Sequence, residues 1–549
     1  MSEKRRRRKP PILPFRLPEP GCLAEWRANL PPLRERWIAG LAAATIVVTL
    51  WNVSGMGAWP VTVAAALAAA TFAAMFVPLA GRDSAETARG NAHRLVRFPV
   101  FWLGLALLAI FVCQYFNSAY IVVFPENPKH MWTVFKISSH IAWLPSGIDA
   151  PFGFERVSMN ALRQICVFGC AWLVLCALWC GLRSRRIRAW LMWALVLNAV
   201  LLAAFCLLRW SRGATWEFLG YRTGSPSFFG VFSYKNHAAE FFALSVAMSV
   251  SLALMVWRKN TENFKRSGAH VLLAVFALFS WIALLCTASF MGFVEAAIWL
   301  PVVPALIVYS GHLRRTAKIA LAAVTLMVVG LAGVWFATAD MDATWAKAGA
   351  KIGKIKKEEL DDRAPLRELS RRMYHFDTET EIFGWGAGAY RWVAPAFQKK
   401  MPEFQYDRGK RKGKLRVRSE YAHCDAWQML TEWGALGAAL FAAGALWFAA
   451  FALRNVRRWR AESVALLLGI AFFAVHSFVD FVTFNPGLLL MLAGAVALFR
   501  RTLEPKKKHR APAVPASGDS AVPATATAAE IPAVPAAVPA ADSDDDDTD

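Results

Sequence analysis

The chain is short of acid, with 39 Asp and Glu against 62 Lys and Arg in 549 residues and a formal charge of +23. Its nine cysteines give no metal-site spacing. Cys166, Cys170, Cys176 and Cys180 sit inside one apolar stretch, where packing is their expected role. Cys424 is the one expected to face an oxidising side, and it has no obvious partner. No internal repeat points to an inverted-repeat architecture. No cleavable signal peptide is expected either, because the arginine-rich start leads into a full-length apolar stretch. After residue 504 there is no aromatic residue and almost no large apolar one, so that segment cannot bury enough surface to fold.

What is present is apolar surface in excess of any soluble core: 56% hydrophobic residues, with 24 Trp and 38 Phe. Stretches of about 18 to 23 residues recur, each near the length a helix needs to cross roughly 30 Å of hydrocarbon. Twelve spans are predicted, near residues 36–56, 59–79, 98–116, 161–181, 189–209, 237–257, 269–289, 292–310, 319–337, 432–453, 463–483 and 485–500.

Basic residues give an independent test, since short loops rich in Lys and Arg stay on the cytoplasmic side. The clusters are "EKRRRRK" at the start, Arg82 to Arg97, "RSRRIR" from Arg183, "RKNTENFKR" from Arg258, "HLRRTAK" from His312, "RNVRRWR" from Arg454 and "RRTLEPKKK" from Arg500. With twelve spans all of them fall on one side, and both termini are cytoplasmic. Topology therefore accounts for the positive charge, and nucleic acid is not needed as a partner. The expected fold is an all-α polytopic membrane protein. A basic segment 1–35 precedes spans one to nine (36–337), a large outer loop follows at 338–431, then spans ten to twelve (432–503) and a disordered cytoplasmic tail (504–549). Shorter outer segments lie at 117–160 and 210–236. Within the large loop, Ala346 to Tyr374 reads as helix.

Four motifs follow one another on the outer side. "GVFSYKNHAAEFFAL" from Gly230 opens the sixth span, and "FGWGAGAYRWVAPAF" from Phe383 is a glycine-rich part of the loop. "AHCDAWQMLTEWGALG" from Ala422 leads into the tenth span, and "HSFVDFVTFNPGLLL" from His476 lies near the end. In type and order these blocks resemble the bacterial O-antigen ligase and O-antigen polymerase family of membrane glycosyltransferases. The resemblance implies an inverting, metal-independent enzyme without cofactors at the periplasmic face of the inner membrane. Such an enzyme moves a glycan from an undecaprenyl pyrophosphate carrier to an acceptor hydroxyl, on lipid A-core for a ligase, on another carrier-linked glycan for a polymerase, or on protein. Ligase is slightly preferred. A lipid-linked glycan transporter and a non-catalytic envelope scaffold are the competing classes.

Displacing a lipid pyrophosphate requires cations at the leaving group and a base at the acceptor hydroxyl. His423, which matches the family's catalytic histidine, is the candidate base, since a neutral imidazole can accept a proton near pH 7. Asp425 is expected to orient it. Glu432, seven residues on, is expected on the same helical face, holding the helix start or contacting sugar. Trp427, one turn beyond His423, is a candidate for stacking on a sugar ring. Lys235, Asn236 and His237 sit at a helix start that adds its own partial positive charge, and Arg222 lies upstream. The segment 399–418 holds nine basic residues against two acidic ones. Its Arg416 and Arg418, with Arg391, are candidates for phosphate. Glu295 and Asp480 are carboxylates at membrane depth, and His476, four residues before Asp480, is the expected partner of Asp480.

The sequence also departs from the family pattern. Where members carry a Ser-Arg pair, Ser289 is followed by Phe290. An arginine usual before the Gly-x-Phe block is replaced by Ser227, and Cys424 stands where Asn is common.

Overall fold

The structure, a computed structural model, describes residues 30–77, 85–124, 132–137, 140–150, 160–211, 217–218, 221–222, 228–262, 268–311, 319, 363–406, 413–415 and 418–503. The ninth predicted span beyond residue 319, loop residues 346–362, Arg416 and the tail lie outside the described residues, and Arg222 is described by its backbone alone.

Helices occupy the other eleven predicted spans: α1 (Leu33–Trp51), α2 (Ala58–Ala73), α4 (Pro99–Phe116), α5 (Ala161–Gly181), α6 (Arg185–Ser211), α7 (Lys235–Glu262), α8 (Ala269–Cys286), α9 (Phe290–Tyr309), α13 (Asp425–Arg454), α14 (Ala461–Ser477) and α15 (Pro486–Thr502). Helix α3 (Ala85–Val96) lies between α2 and α4, and α10 (Arg363–Tyr374), α11 (Thr378–Phe383) and α12 (Tyr390–Gln398) precede α13. Seven of these, α4 to α9 and α13, are long and apolar enough to cross a membrane. The other four are shorter or carry charge at one end, as α1 does with Arg34, Glu35 and Arg36. Local chemistry sets several starts. Pro99 and Pro486 lie at the first helical position, where a missing N–H costs nothing, and the Asn160 side chain accepts the Arg163 N–H at 3.0 Å.

The all-α expectation needs one correction. Strands β1 (Ser118–Val123), β2 (Thr133–Lys136) and β3 (Gly147–Asp149) form a sheet in the order β2-β1-β3, with β1 antiparallel to β2 and parallel to β3. Glu217–Phe218 and Tyr221–Arg222 pair as a two-residue ladder. The sequence "SAYIVV" is rich in β-branched and aromatic side chains and falls after the end of α4, where the next helix has not begun.

Two apolar cores result. The bundle core includes a ring cluster in which Trp433 lies 4.8 Å from Phe168, 5.1 Å from Phe111 and 5.5 Å from Phe484. The second core joins Val122 and Ile148 of the sheet to Leu369, Met373, Trp385, Tyr390 and Trp392. The glycine-rich segment fastens this second core to α13. Trp385 and Gly386 donate backbone N–H groups to the Thr431 and Glu432 carbonyls at 2.9 and 3.0 Å. A Cβ on Gly384 would lie 2.3 Å from the carbonyl carbon of Glu432, and both Gly384 and Gly434 have positive φ (76° and 66°). Only glycine permits backbones to cross so closely in that conformation.

Candidate functional site

His423 stands two residues before α13, with φ of 50°. A β-carbon in this left-handed region costs about 1–2 kcal/mol, so its surroundings must hold it. The Ala422 N–H donates to Gln428 Oε1 at 2.7 Å, and Gln428 Nε2 donates to Glu432 Oε1 at 2.9 Å. Glu432 also accepts the Gly388 and Tyr390 N–H groups at 2.9 and 3.3 Å. The glycine-rich segment thus reaches the backbone beside His423 through two side chains.

The imidazole is oriented by Asp480, in the connection between α14 and α15. His423 Nδ1 lies 3.1 Å from Asp480 Oδ1, an oxygen that also accepts the Phe481 N–H at 2.9 Å. Asp480 Oδ2 lies 3.3 Å from a terminal nitrogen of Arg363 at the start of α10 and accepts from Asn236 Nδ2. Asp480 is fully buried, whereas the His423 side chain keeps 30% of its surface exposed. A carboxylate at Nδ1 selects the tautomer with its lone pair on Nε2. Phe481 supports the group edge-on to His423 at 4.9 Å and stacks on Tyr421 at 4.0 Å. Burial pushes the Tyr421 hydroxyl up to about 12, which keeps that ring neutral, and burial likewise raises the Cys424 thiol.

The predicted residues divide. His423 and Asn236 come together through Asp480, and Lys235 opens α7 beside Asn236, half-buried. Asn236 and His237 are 1% and 0% exposed, so neither side chain reaches solvent. His237 Nδ1 lies 3.2 Å from Asn485 Nδ2. Asp425 does not orient the imidazole. Its Oδ2 accepts the Thr483 N–H at 2.8 Å, because the chain enters α13 with Asp425 turned toward the α14–α15 connection. Glu432, two turns along the same helix, is 0% exposed and so reaches no solvent; its carboxylate accepts from Gln428, which in turn holds the Ala422 N–H at the helix start, and from the glycine-rich segment. Trp427 is half-buried against the second core. Arg391 pairs with Glu420 at 3.0 Å, and Arg391 and Arg418 both lie over the Trp132 ring, at 5.9 and 5.6 Å. They therefore belong to the second core's surface.

His476 is not the partner of Asp480. Helix α14 ends at Ser477, so although the Asp480 N–H still reaches the His476 carbonyl, the two side chains diverge and His476 meets Glu240 and Glu295. Sequence reasoning missed Arg363 as a site residue and the pairing of Asp480 with His423, both products of long-range folding. It also passed over Glu240, although a carboxylate one turn into an apolar span is a visible signal. Ser289 caps α9 by accepting the Gly292 N–H, and Phe290 begins that helix. An open groove of about 460 Å³ lies apart from these residues, lined by Tyr115, Phe116, Asn117, Ser118, Ile137, His140 and Asp149. The chain matches no family model and no curated protein.

Proposed function

We propose that this protein is an O-antigen ligase-like membrane glycosyltransferase. It has twelve spans, cytoplasmic termini and a large periplasmic loop between spans nine and ten, in a bacterial inner membrane. The observation that carries the reading is the His423–Asp480–Arg363 group: an imidazole oriented by a buried carboxylate, beside a cation, at the meeting of four chain segments.

In the proposed reaction an acceptor hydroxyl attacks the anomeric carbon of the carrier-linked glycan from the face opposite the pyrophosphate. His423 Nε2 takes the hydroxyl proton as the new C–O bond forms. The anomeric carbon–phosphate oxygen bond breaks, and both its electrons leave with undecaprenyl pyrophosphate. Asp480 stabilises the imidazolium, the logic of a base oriented by a carboxylate. Arg363 stands in for the arginine that Phe290 replaces, with Lys235 and the basic loop residues Arg391, Arg416 and Arg418, and Arg222 upstream, attracting the phosphates. A lipid A-core hydroxyl is the favoured acceptor, ahead of a second carrier-linked glycan or a protein.

Purified protein, lipid-linked donor and candidate acceptors are expected to give product without ATP, and His423→Ala is expected to lose at least about 10²-fold, the low end for a general base. Undiminished product from His423→Ala removes the proposed base. Carrier translocation without any product supports the transporter class instead.

A further inference from the structure

Glu240 on α7, Glu295 on α9 and His476 on α14 meet inside the bundle, each at most 1% exposed. His476 Nδ1 lies 3.0 Å from Glu240 Oε2 and 3.2 Å from Glu295 Oε1. One ring nitrogen has one hydrogen to give, and the aligned acceptor is Glu240 Oε2. Glu240 Oε1 and both oxygens of Glu295 are buried without a hydrogen-bond donor among the described residues. What these lone pairs lack is an electron-pair acceptor.

Two carboxylates cannot remain charged in an apolar interior against a neutral imidazole. Two arrangements bring the cluster to neutrality: one divalent cation with a neutral imidazole, or two protons divided among the three side chains. The donor geometry fits the cation, because one ligand atom from each residue lies within 4.8 Å of the other two. That is the spread produced by donors held roughly 2.0–2.4 Å from a common ion. We propose that Glu240, Glu295 and His476 bind one divalent transition-metal ion, and one imidazole with two carboxylates suits zinc best.

The position gives the ion a purpose. Helices α7 and α14 are joined on two rungs: Asn236 to Asp480 just beyond the end of α14, and Glu240 to His476 one turn deeper, about 6 Å along the α7 axis. An ion on the deeper rung ties α7, α9 and α14 together beneath the His423 group. It touches no reacting atom, so the proposal does not depend on the transfer reading and agrees with a metal-independent reaction.

The test uses the full-length protein in detergent, stripped with a chelator and titrated with Co²⁺. One equivalent is expected to bind, with the visible bands of nitrogen and oxygen ligation and without the intense thiolate charge-transfer band that a cysteine site produces. Zn²⁺ is expected to displace it and to raise the wild-type melting temperature. Glu295→Gln and His476→Gln are expected to lose both effects, while Glu368→Gln, half-buried on α10 and outside the cluster, keeps them. Wild-type protein that takes up neither Co²⁺ nor Zn²⁺ at micromolar concentrations overturns the proposal in favour of the protonated cluster, and this reading requires no variant to fold. Stoichiometric binding that survives in both cluster variants also overturns it, by placing the metal elsewhere.

Discussion

Asp480 is the side chain on which most of the site converges. One oxygen takes His423 Nδ1 and a backbone N–H, and the other takes Asn236 and Arg363. Every contact comes from a donor, so the carboxylate cannot be replaced by its isostere. In Asp480→Asn the amide nitrogen must face a donor whichever way it is turned, and Arg363 loses its counter-charge. Removing one partner of a buried ion pair typically costs about 3–5 kcal/mol. Arg363 retains some exposure, so a loss near the lower end is expected in equilibrium unfolding. On the transfer reading kcat falls further than KM rises, because the missing charge acts on the imidazolium formed during reaction. Asp480→Asn with wild-type stability and wild-type kcat is the contrary result. Arg363→Lys keeps the charge but not the planar geometry, and it is expected to recover stability better than Arg363→Ala.

At the scale of elements, the joint between the glycine-rich segment and α13 determines where His423 sits. Gly384 and Gly434 let the two backbones cross, and Glu432 then accepts N–H groups from the segment while Gln428 carries the connection to Ala422. Gly384→Ala adds a carbon at 2.3 Å from the Glu432 backbone in a conformation that already penalises a side chain. A destabilisation above about 2 kcal/mol is expected, with weakened function even though the residue is far from any reacting atom. Gly444→Ala is the control: it lies in α13, where the added carbon meets nothing within 4 Å beyond its own stretch of helix backbone, and it is expected to be neutral or to stabilise by up to about 1 kcal/mol. Thermal unfolding of the two variants in one detergent checks both, and equal melting temperatures overturn the joint. The sequence made this element legible only in part. Hydropathy placed eleven helices because composition is a local property, and the resemblance to a family drew attention to "FGWGAGAY" and "AHCDAW". The crossing of Gly384 over Gly434, and the choice of Asp480 over Asp425 as partner to His423, depend on where α14 stops. Helix ends within polar connections leave little trace in hydropathy, and the predicted span 463–483 ran six residues past Ser477.

For the whole molecule, the strongest regularity in the sequence is the placement of basic clusters, and the structure supplies markers for testing it. The second core gathers residues from 118–150 and 363–422 into one body against the α13 start, so these segments must share a side of the membrane with His423. The clusters at Arg183, Arg258, Arg454 and Arg500 flank the opposite ends of α5, α7, α13 and α15. In a cysteine-free background, single cysteines at Trp143 or Phe376, both well exposed, are expected to react with a membrane-impermeant maleimide in intact spheroplasts. Cysteines at Ser184 or Val456 are expected to react only after lysis. The predicted ninth span decides the outcome. If 319–337 does not cross, α13 to α15 invert relative to α4 to α9, and Trp143 and Phe376 label from opposite sides. That result contradicts a shared second core and the twelve-span topology together, and with them the periplasmic site on which the transfer reading rests.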